Sequence, residues 1–409
     1  MDVSRILESL NPAQREAVTS DSKSLLVLAG AGSGKTRVLV HRIAWLLQVN
    51  NLPASSVMAV TFTNKAAKEM RSRISTLLNM SPHAMWVGTF HGIAHRLLKS
   101  HWQDAELPQN FQIIDSDDQL RLIKRLLKEH ELDENQWSPK SIQWFINDCK
   151  DHGIRAASVD ARDAHEKVNA SMYLAYEKAC NRAGQVDFGE LLLRSHELWL
   201  KNPRLLAHYQ QRLQHILVDE FQDTNTIQYA WLRVLAGNSC HVTAVGDDDQ
   251  SIYGWRGAKI ENILQFQSDF PDAKMVKLEQ NYRSTSHILD AANGVIANNQ
   301  GRLGKQLWTD HGSGEPISLY SAYNEQDEAR FVVDAIEQHR SENSRYSDQA
   351  ILYRSNAQSR VLEEALIRAA VPYRIYGGQR FYDRLEVKNA VAYMPVSYTH
   401  LTLPTIRLV

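Results

Sequence analysis

SLLVLAGAGSGKTRVLV, residues 24–40, decides the fold. It begins as a short apolar run, passes through small residues, and continues into the helical pattern of RVLVHRIAWLL. The loop AGAGSGKT (29–36) matches the phosphate-binding pattern G-x-x-x-x-G-K-[ST], with Ala29 in place of the first glycine. Gly30, Gly32 and Gly34 let the backbone of Ala29, Ala31 and Ser33 curl until its N–H groups face an anion. The following helix adds its positive N-terminal end. Lys35 is placed to reach the β- and γ-phosphates, and Thr36 to ligate Mg²⁺. The bland alternative is a flexible glycine turn. A strand before the loop and a helix after it argue against that.

Three further runs share the texture of the first: VMAVTF (57–62), HILVDE (215–220) and HVTAVGD (241–247). Short, continuously apolar runs fit strands covered on both faces of a parallel sheet. Ligands of such sheets bind beyond the carboxyl ends of the strands, so the polar residues closing these runs should converge on one edge. There Asp219 can hold Mg²⁺ through its water shell, and Glu220 can orient and deprotonate an attacking water. Combined with the glycine loop, this pair implies hydrolysis of a nucleoside triphosphate.

Between the second and third runs the pattern turns helical, around 115–130, 139–150, 164–182 and 187–200. Ser116 followed by Gln119 predicts a capping box. Arg121, Lys124, Arg125 and Lys128 read as a solvated helix face. This region is expected to be a helical domain inserted into the sheet domain. After residue 280 a second α/β pattern starts, with strands predicted at 317–323, 350–356 and 372–378 and helices at 328–339 and between the last two strands. From Pro395 the chain reads PVSYTHLTLPTIRLV, which breaks the helical LEVKNAVAYM (385–394) and carries no acid.

The composition excludes several classes. Among 409 residues, 46 Lys and Arg balance 47 Asp and Glu for a net charge of −1, so a uniformly basic nucleic-acid coat is ruled out and any such site must be a local patch. Cys149, Cys180 and Cys240 are far apart and form no C-x-x-C pair, which argues against a metal cluster and a disulfide framework. The opening MDVSRILESL lacks the basic start and apolar run of a signal peptide, and no run approaches membrane-spanning length. The expectation is a soluble cytoplasmic protein with no membrane partner.

One stretch, GDDDQSIYGWRGA (246–258), joins acids directly to aromatics and arginine. With NPAQREAV (11–18), AGAGSGKTRV (29–38), VTFTNKAAKEMRSRI (60–74), VGTFHG (87–92), VDEFQDTN (218–225), LEQNYRS (278–284) and ILYRSNAQSR (351–360), it forms an ordered series that resembles the UvrD/Rep group of superfamily 1A DNA helicases over residues 1 to about 394. The resemblance implies a first RecA-like P-loop NTPase domain (1–90 plus 213–279), an inserted helical domain (91–212), the first part of a second RecA-like domain (280–378) and the start of a further domain (379–394). The segment 395–409 matches nothing in the family pattern, and two later family motifs are not found. A cut-short second domain would be poorly soluble.

Residue by residue, the resemblance implies that Gln14 hydrogen-bonds adenine while Arg37 and Tyr282 sandwich it. Arg283 becomes an arginine finger on the γ-phosphate, Arg73 approaches the nucleotide, and Gln250 contacts the γ-phosphate or the attacking water. Tyr253, Trp255 and Arg256 would grip single-stranded DNA, where aromatic stacking tolerates any base. Phe62, Thr63, Asn64, Thr89, His91, Phe188, Arg354 and Asn356 would line the same track. On composition alone Tyr253 and Trp255 read as packing residues, His91 also fits an interior histidine, and Phe188 reads as easily as core. The three aspartates are expected to lie on the nucleotide side near Mg²⁺ or to turn the chain. The implied protein is an ATP- and Mg²⁺-dependent 3′–5′ helicase acting on single strands and single-strand/duplex junctions, with mismatch-repair and nucleotide-excision-repair proteins as partners. Two rivals remain: a P-loop ATPase without a DNA substrate, and a fragment that binds ATP and DNA without unwinding.

Overall fold

The computed structural model describes residues 3–80, 84–341 and 344–376. The predicted starting helix of the further domain and the segment 395–409 therefore lie outside the described residues, as do residues 377–378 of the last predicted strand. The described chain divides into two compact units, one running to Pro316 and one starting at Ile317.

In the first unit the strands are β1 (Ser24–Ala29), β2 (Val57–Thr61), β3 (Trp86–Thr89), β4 (Gln112–Ile113), β5 (Gln185–Val186), β6 (His215–Val218), β7 (His241–Gly246) and β8 (Ala273–Leu278). Six of them form one sheet in the order β3-β2-β6-β7-β1-β8, with every neighbouring pair parallel. The four predicted runs are its inner strands. The edge strands β3 and β8 went unrecognised. β8 carries exposed Lys274 and Lys277 among its apolar residues instead of forming a continuous apolar run, so its signal is the weaker one.

Side-chain alternation along the inner strands feeds two cores. Leu26, Leu28, Met58, Val60, Ile216 and Val218 face one of them, together with helices Phe90–Ser100, Phe188–Lys201 and Thr226–Ala236. Leu25, Val27, Ala29, Val57, Ala59 and Leu217 face the other, against helices Pro12–Thr19, Lys35–Gln48 and Asn64–Leu78. With both faces covered, a strand has no polar side, hence the unbroken apolar runs.

All four predicted helices of the insertion form, as Ser116–Glu129, Pro139–Asp151, Ala164–Ala183 and Phe188–Lys201. A separate core is confined to residues between Ile114 and Cys180; the flanking helices belong to the sheet's core. The expected capping box at Ser116 is not what starts the first of these helices. Asp115 is the cap, and its carboxylate accepts from the N–H groups of Asp117 and Asp118 at 2.9 Å each. An Asp accepts as well as a Ser at this position, so the helix simply begins one residue earlier than the box required. Arg121, Lys124, Arg125 and Lys128 are exposed as expected, and the three cysteines are buried and unpaired.

In the second unit, helices Glu325–Ser341 and Ser359–Arg368 match prediction and meet in a small core of Val333, Ile336, Leu366 and Val371. The predicted strands at 317–323 and 350–356, and the described part of 372–378, carry no strand pairing. Leu319, Tyr323 and Leu352 are almost fully exposed. A β-prone sequence becomes a strand only where a neighbour completes its ladder.

Arg42 locks helix Pro12–Thr19 to the sheet. Its guanidinium is 1% exposed and donates to the carbonyls of Ala17, Val18 and Ser20 at 3.0–3.1 Å and to Thr243 Oγ1 at 2.9 Å. It thereby satisfies orphan carbonyls at the end of helix Pro12–Thr19. Burial lowers its pKa to about 10, which still leaves it charged at neutral pH. Arg42→Met should cost about 1–3 kcal/mol, the penalty for stranding buried acceptors. Chemical denaturation measures it, and an unchanged midpoint would refute this role for Arg42.

Candidate nucleotide site and aromatic platform

The glycine loop leaves β1 at the sheet's carboxyl edge and runs directly into helix Lys35–Gln48, so Lys35 and Thr36 occupy the first helical turn. Gly32 and Gly34 have φ of 68° and 90°, the left-handed region that favours glycine. A Cβ at Gly32 would lie 2.6 Å from Asn281 Nδ2, and one at Gly34 would lie 2.8 Å from Gln14 Nε2. Gln14 is buried and donates through Nε2 to the Ser33 carbonyl at 2.8 Å, while its Oε1 completes a capping box with Asn11. Asn11 donates in turn to the Tyr282 hydroxyl at 2.7 Å. Tyr282 N–H meets the Gly32 carbonyl at 3.0 Å, and Arg37 is exposed one turn into the helix. Gln14, Tyr282 and Arg37 thus surround one side of the loop. Arg283 is exposed, with its Cβ against Gly32.

Lys35 Nζ lies 3.0 Å from Glu220 Oε2 and 3.2 Å from Gln250 Oε1, which ties together the ends of β1, β6 and β7. Glu220 stands in the left-handed region at φ 50°, a strained conformation for a residue with a Cβ and one that clusters at functional sites. Gln222, for which no role had been foreseen, is buried and links the acids. Its Nε2 donates to Glu220 Oε2 and its Oε1 accepts from the Asp247 N–H, both at 2.9 Å.

Asp219 is 5% exposed and accepts the Glu220 N–H at 3.1 Å. Burial first, and the neighbouring Glu220 second, push its carboxyl up to about 7 against the pull of Lys35. Asp223 is raised to about 6 for the same reasons, and its Oδ1 is buried with no hydrogen-bond partner. Carboxylates this short of compensation, next to a glycine cradle and the hydroxyl of Thr36, fit a site that takes Mg²⁺ with an anionic ligand.

The aspartates of GDDDQ do something else. Asp247, Asp248 and Asp249 bring carboxylate oxygens within 4.8 Å of one another, as a cation site would. The cation is Lys305. Its ammonium is buried and lies 2.6 Å from Asp247 and 2.7 Å from Asp249, and it also pairs with Asp248. Arg302 adds a bidentate pair to Asp249 at 2.7 and 2.8 Å. Of the two roles expected for these acids, a place near Mg²⁺ or a turn of the chain, the contacts describe the second, with a lysine ammonium in the middle of the cluster. They do turn the chain, because Asp247 caps the one-turn helix Asp248–Gln250.

Immediately after that turn the chain presents aromatics. Tyr253 stacks on Phe62 with ring centres 5.2 Å apart, and Trp255, 67% exposed, tilts against Tyr253 at 6.4 Å. Phe188 is half exposed and meets His91 edge-on at 5.8 Å. Phe62, His91 and Phe188 line one cavity of about 490 Å³, with Asp223 and Asn225 on its wall. Burial lowers His91 to about 4, so the ring is neutral at physiological pH and cannot pair a phosphate as a cation. Thr63 and Thr89 use their hydroxyls as helix caps, accepting from Ala66 and Gly92 at 3.1 Å, and Asn64 is exposed in the first turn beyond Thr63.

Arg73 is not gathered here: it pairs with Glu69 on the exposed side of its own helix. Arg354 and Asn356 are exposed in the second unit, at the one-turn helix Asn356–Gln358. Arg256 belongs to the turn Gly254–Arg256, and its side chain lies outside the described residues.

The family model for the UvrD/REP helicase N-terminal domain matches residues 10–271, and that for the UvrD-like helicase C-terminal domain matches 276–400. The chain belongs to the UvrD-like helicase family. The second match runs to residue 400, past the limit near 394 expected for the resemblance. Among relatives, DNA helicase II of Escherichia coli strain K12 is 62% identical over 395 residues, covering 96% of this chain and 55% of the relative. DNA helicase II of Haemophilus influenzae is 58% identical over 399 residues, covering 96% and 55%. The ATP-dependent DNA helicase PcrA of Leuconostoc citreum is 46% identical over 398 residues, covering 96% and 53%. The chain thus spans about half the length of these relatives. Among the described residues, no helix is long and apolar enough to cross a membrane.

The raised Asp219 carboxyl has a consequence for stability. Its folded pKa of about 7 lies above the unfolded value near 3.8, so the stability tied to its proton is fully present below about pH 4 and lost as pH climbs through 7. In nucleotide- and magnesium-free buffer, Asp219→Asn should melt above wild type at pH 8, with the gap closing toward pH 4–5. Identical melting curves across that range would show that Asp219 ionises freely.

Proposed function

We propose that this chain carries the ATP-binding and strand-gripping part of an ATP-dependent DNA helicase that translocates on single-stranded DNA. The observation that carries this reading is the continuity of residues 247–255. Gln250 touches Lys35 of the phosphate loop, and Tyr253 and Trp255, three and five residues later, present exposed or stacked rings. A shift of Gln250 on nucleotide turnover would be passed along a few peptide bonds to rings suited to stacking on bases. The relatives' names, DNA helicase II and ATP-dependent DNA helicase PcrA, point the same way.

In this reading Gln14, Arg37 and Tyr282 hold the base, and the N–H groups of the loop with Lys35 hold the phosphates. Asp219 and Thr36 would hold Mg²⁺, which screens phosphate charge when bound. Glu220 orients water and accepts its proton. Arg283 stabilises charge at the γ-phosphate, and Arg73 is a further candidate nearby. Phe62, Thr63, Asn64, Thr89, His91, Phe188, Tyr253, Trp255, Arg256, Arg354 and Asn356 make up the strand track. With His91 neutral, its part there is stacking and hydrogen bonding. The 3′–5′ direction, action at single-strand/duplex junctions, mismatch- and excision-repair partners and a cytoplasmic location rest on the family resemblance.

Two substitutions test the reading. Lys35→Ala should abolish ATP turnover while single-strand binding stays measurable; wild-type turnover would remove the phosphate-loop assignment. Trp255→Ala should weaken single-strand affinity by roughly tenfold, the loss of about one stacked base, and lower DNA-stimulated turnover more than basal turnover. Equal losses in both rates would make Trp255 a packing residue. A wild-type ATPase indifferent to single-stranded DNA would favour the rival without a nucleic-acid substrate.

A further inference from the structure

The segment Arg302–Trp308 was no part of any motif, yet it reaches three pieces of the nucleotide site. Lys305 and Arg302 enter the aspartate turn, and the Leu303 N–H donates to Asp248 at 2.8 Å. Leu307 packs against Gly30, where an added Cβ would strike it. Trp308 pairs its backbone with the arm carrying Tyr282 and Arg283, accepting from Asn281 N–H at 2.7 Å and donating to the Glu279 carbonyl at 3.1 Å. Asn281 completes the link, donating to the Ala31 carbonyl at 2.5 Å and accepting from the N–H groups of Arg283 and Ser284 at 2.7 Å.

We propose that Lys305 is a positioning residue for Gln250, acting through Asp247, so that the Arg302–Trp308 strap sets how the site senses a γ-phosphate. The inference rests on the nucleotide reading above. Asp247 divides its two oxygens. Oδ1 takes Lys305 at 2.6 Å and the Asp249 N–H at 3.1 Å, and Oδ2 accepts from Gln250 Nε2. An amide has one donor end and one acceptor end. With Nε2 held by a carboxylate, Oε1 must point to Lys35, and it does so at 3.2 Å. The arrangement depends on Asp247 being ionised. It is 1% exposed, and burial raises its carboxyl above the ordinary range; Lys305 is the largest influence opposing that rise. Without that ammonium, a protonated Asp247 no longer requires a donor from Gln250, and the amide is free to turn its NH₂ toward Lys35.

The test compares binding of ADP and of the non-hydrolysable ATP analogue AMP-PNP to the 409-residue chain, each with Mg²⁺, by titration calorimetry. Lys305→Met should lower the affinity ratio of AMP-PNP to ADP by roughly tenfold, as expected for a misdirected charge-assisted hydrogen bond, with ADP affinity within about twofold of wild type. Gln250→Ala should lower the ratio similarly, and the double variant should lose no more than either single. Equal weakening of both ligands would mean a merely structural ion cluster and overturn the proposal. So would an unchanged ratio, or losses that add in the double variant. Removing the cation from three buried acids risks unfolding, so melting curves accompany each variant. If Lys305→Met does not fold, Lys305→Met/Asp248→Asn removes one repelling charge and is held to the same ratio. A wild-type chain that binds neither nucleotide overturns the nucleotide reading itself, and this inference with it.

Discussion

The Lys35 ammonium, shared between Glu220 and Gln250, is the interaction on which the site's geometry depends. It joins three strand ends that are 185 and 215 residues apart in the chain. A parallel sheet brings those ends to one edge because every strand runs the same way. An ammonium there has obligations: it cannot be buried without acceptors, and a side-chain carboxylate and a side-chain amide supply them. Both acceptors also have a part in the proposed chemistry. The contact is thus a latch between the glycine loop, the acid after β6 and the turn that leads to the aromatic platform.

Charge compensation organises the rest of the region. Two acids, Asp219 and Asp223, lack adequate partners, and their carboxyls are raised by burial. Three others, Asp247 to Asp249, are paired with Lys305 and Arg302, although burial still leaves the Asp247 carboxyl raised. Acids in one region are thereby sorted into those with a cationic partner in direct contact and those without one. The same logic operates in the inserted helices. There Lys150, Arg155 and Arg194 surround Glu190 and hold its carboxyl far below the usual range despite complete burial. Such networks fix geometry more than they add stability, since desolvation offsets much of the attraction.

Much of the fold and of the phosphate site was legible in local sequence. The inner strands announced themselves because double coverage forbids polar positions, and the glycine loop because backbone sign and close approach admit little else at Gly32 and Gly34. What escaped notice was of two kinds. Edge strand β8 has exposed Lys274 and Lys277 and so an ordinary-looking sequence. Gln222, Asn281, Arg42 and Lys305 are single polar residues whose importance lies in distant partners, and no spacing rule announces such a partner. In the second unit the reverse held: 317–323 and 350–356 have strand-like sequences and no ladder.

Residue type and spacing by themselves determined the parallel sheet, the inserted helices, the phosphate loop and the acid pair, because each follows from short-range constraints: hydrophobic period, glycine stereochemistry and helix propensity. Tertiary structure decided which charges meet. It put a lysine from residue 305 into the aspartate turn, and it joined Phe62 to Tyr253 in one stacked platform. The physical reason is that ion pairs and ring contacts depend on distance in space, and distance in space between remote residues exists only once the sheet has assembled.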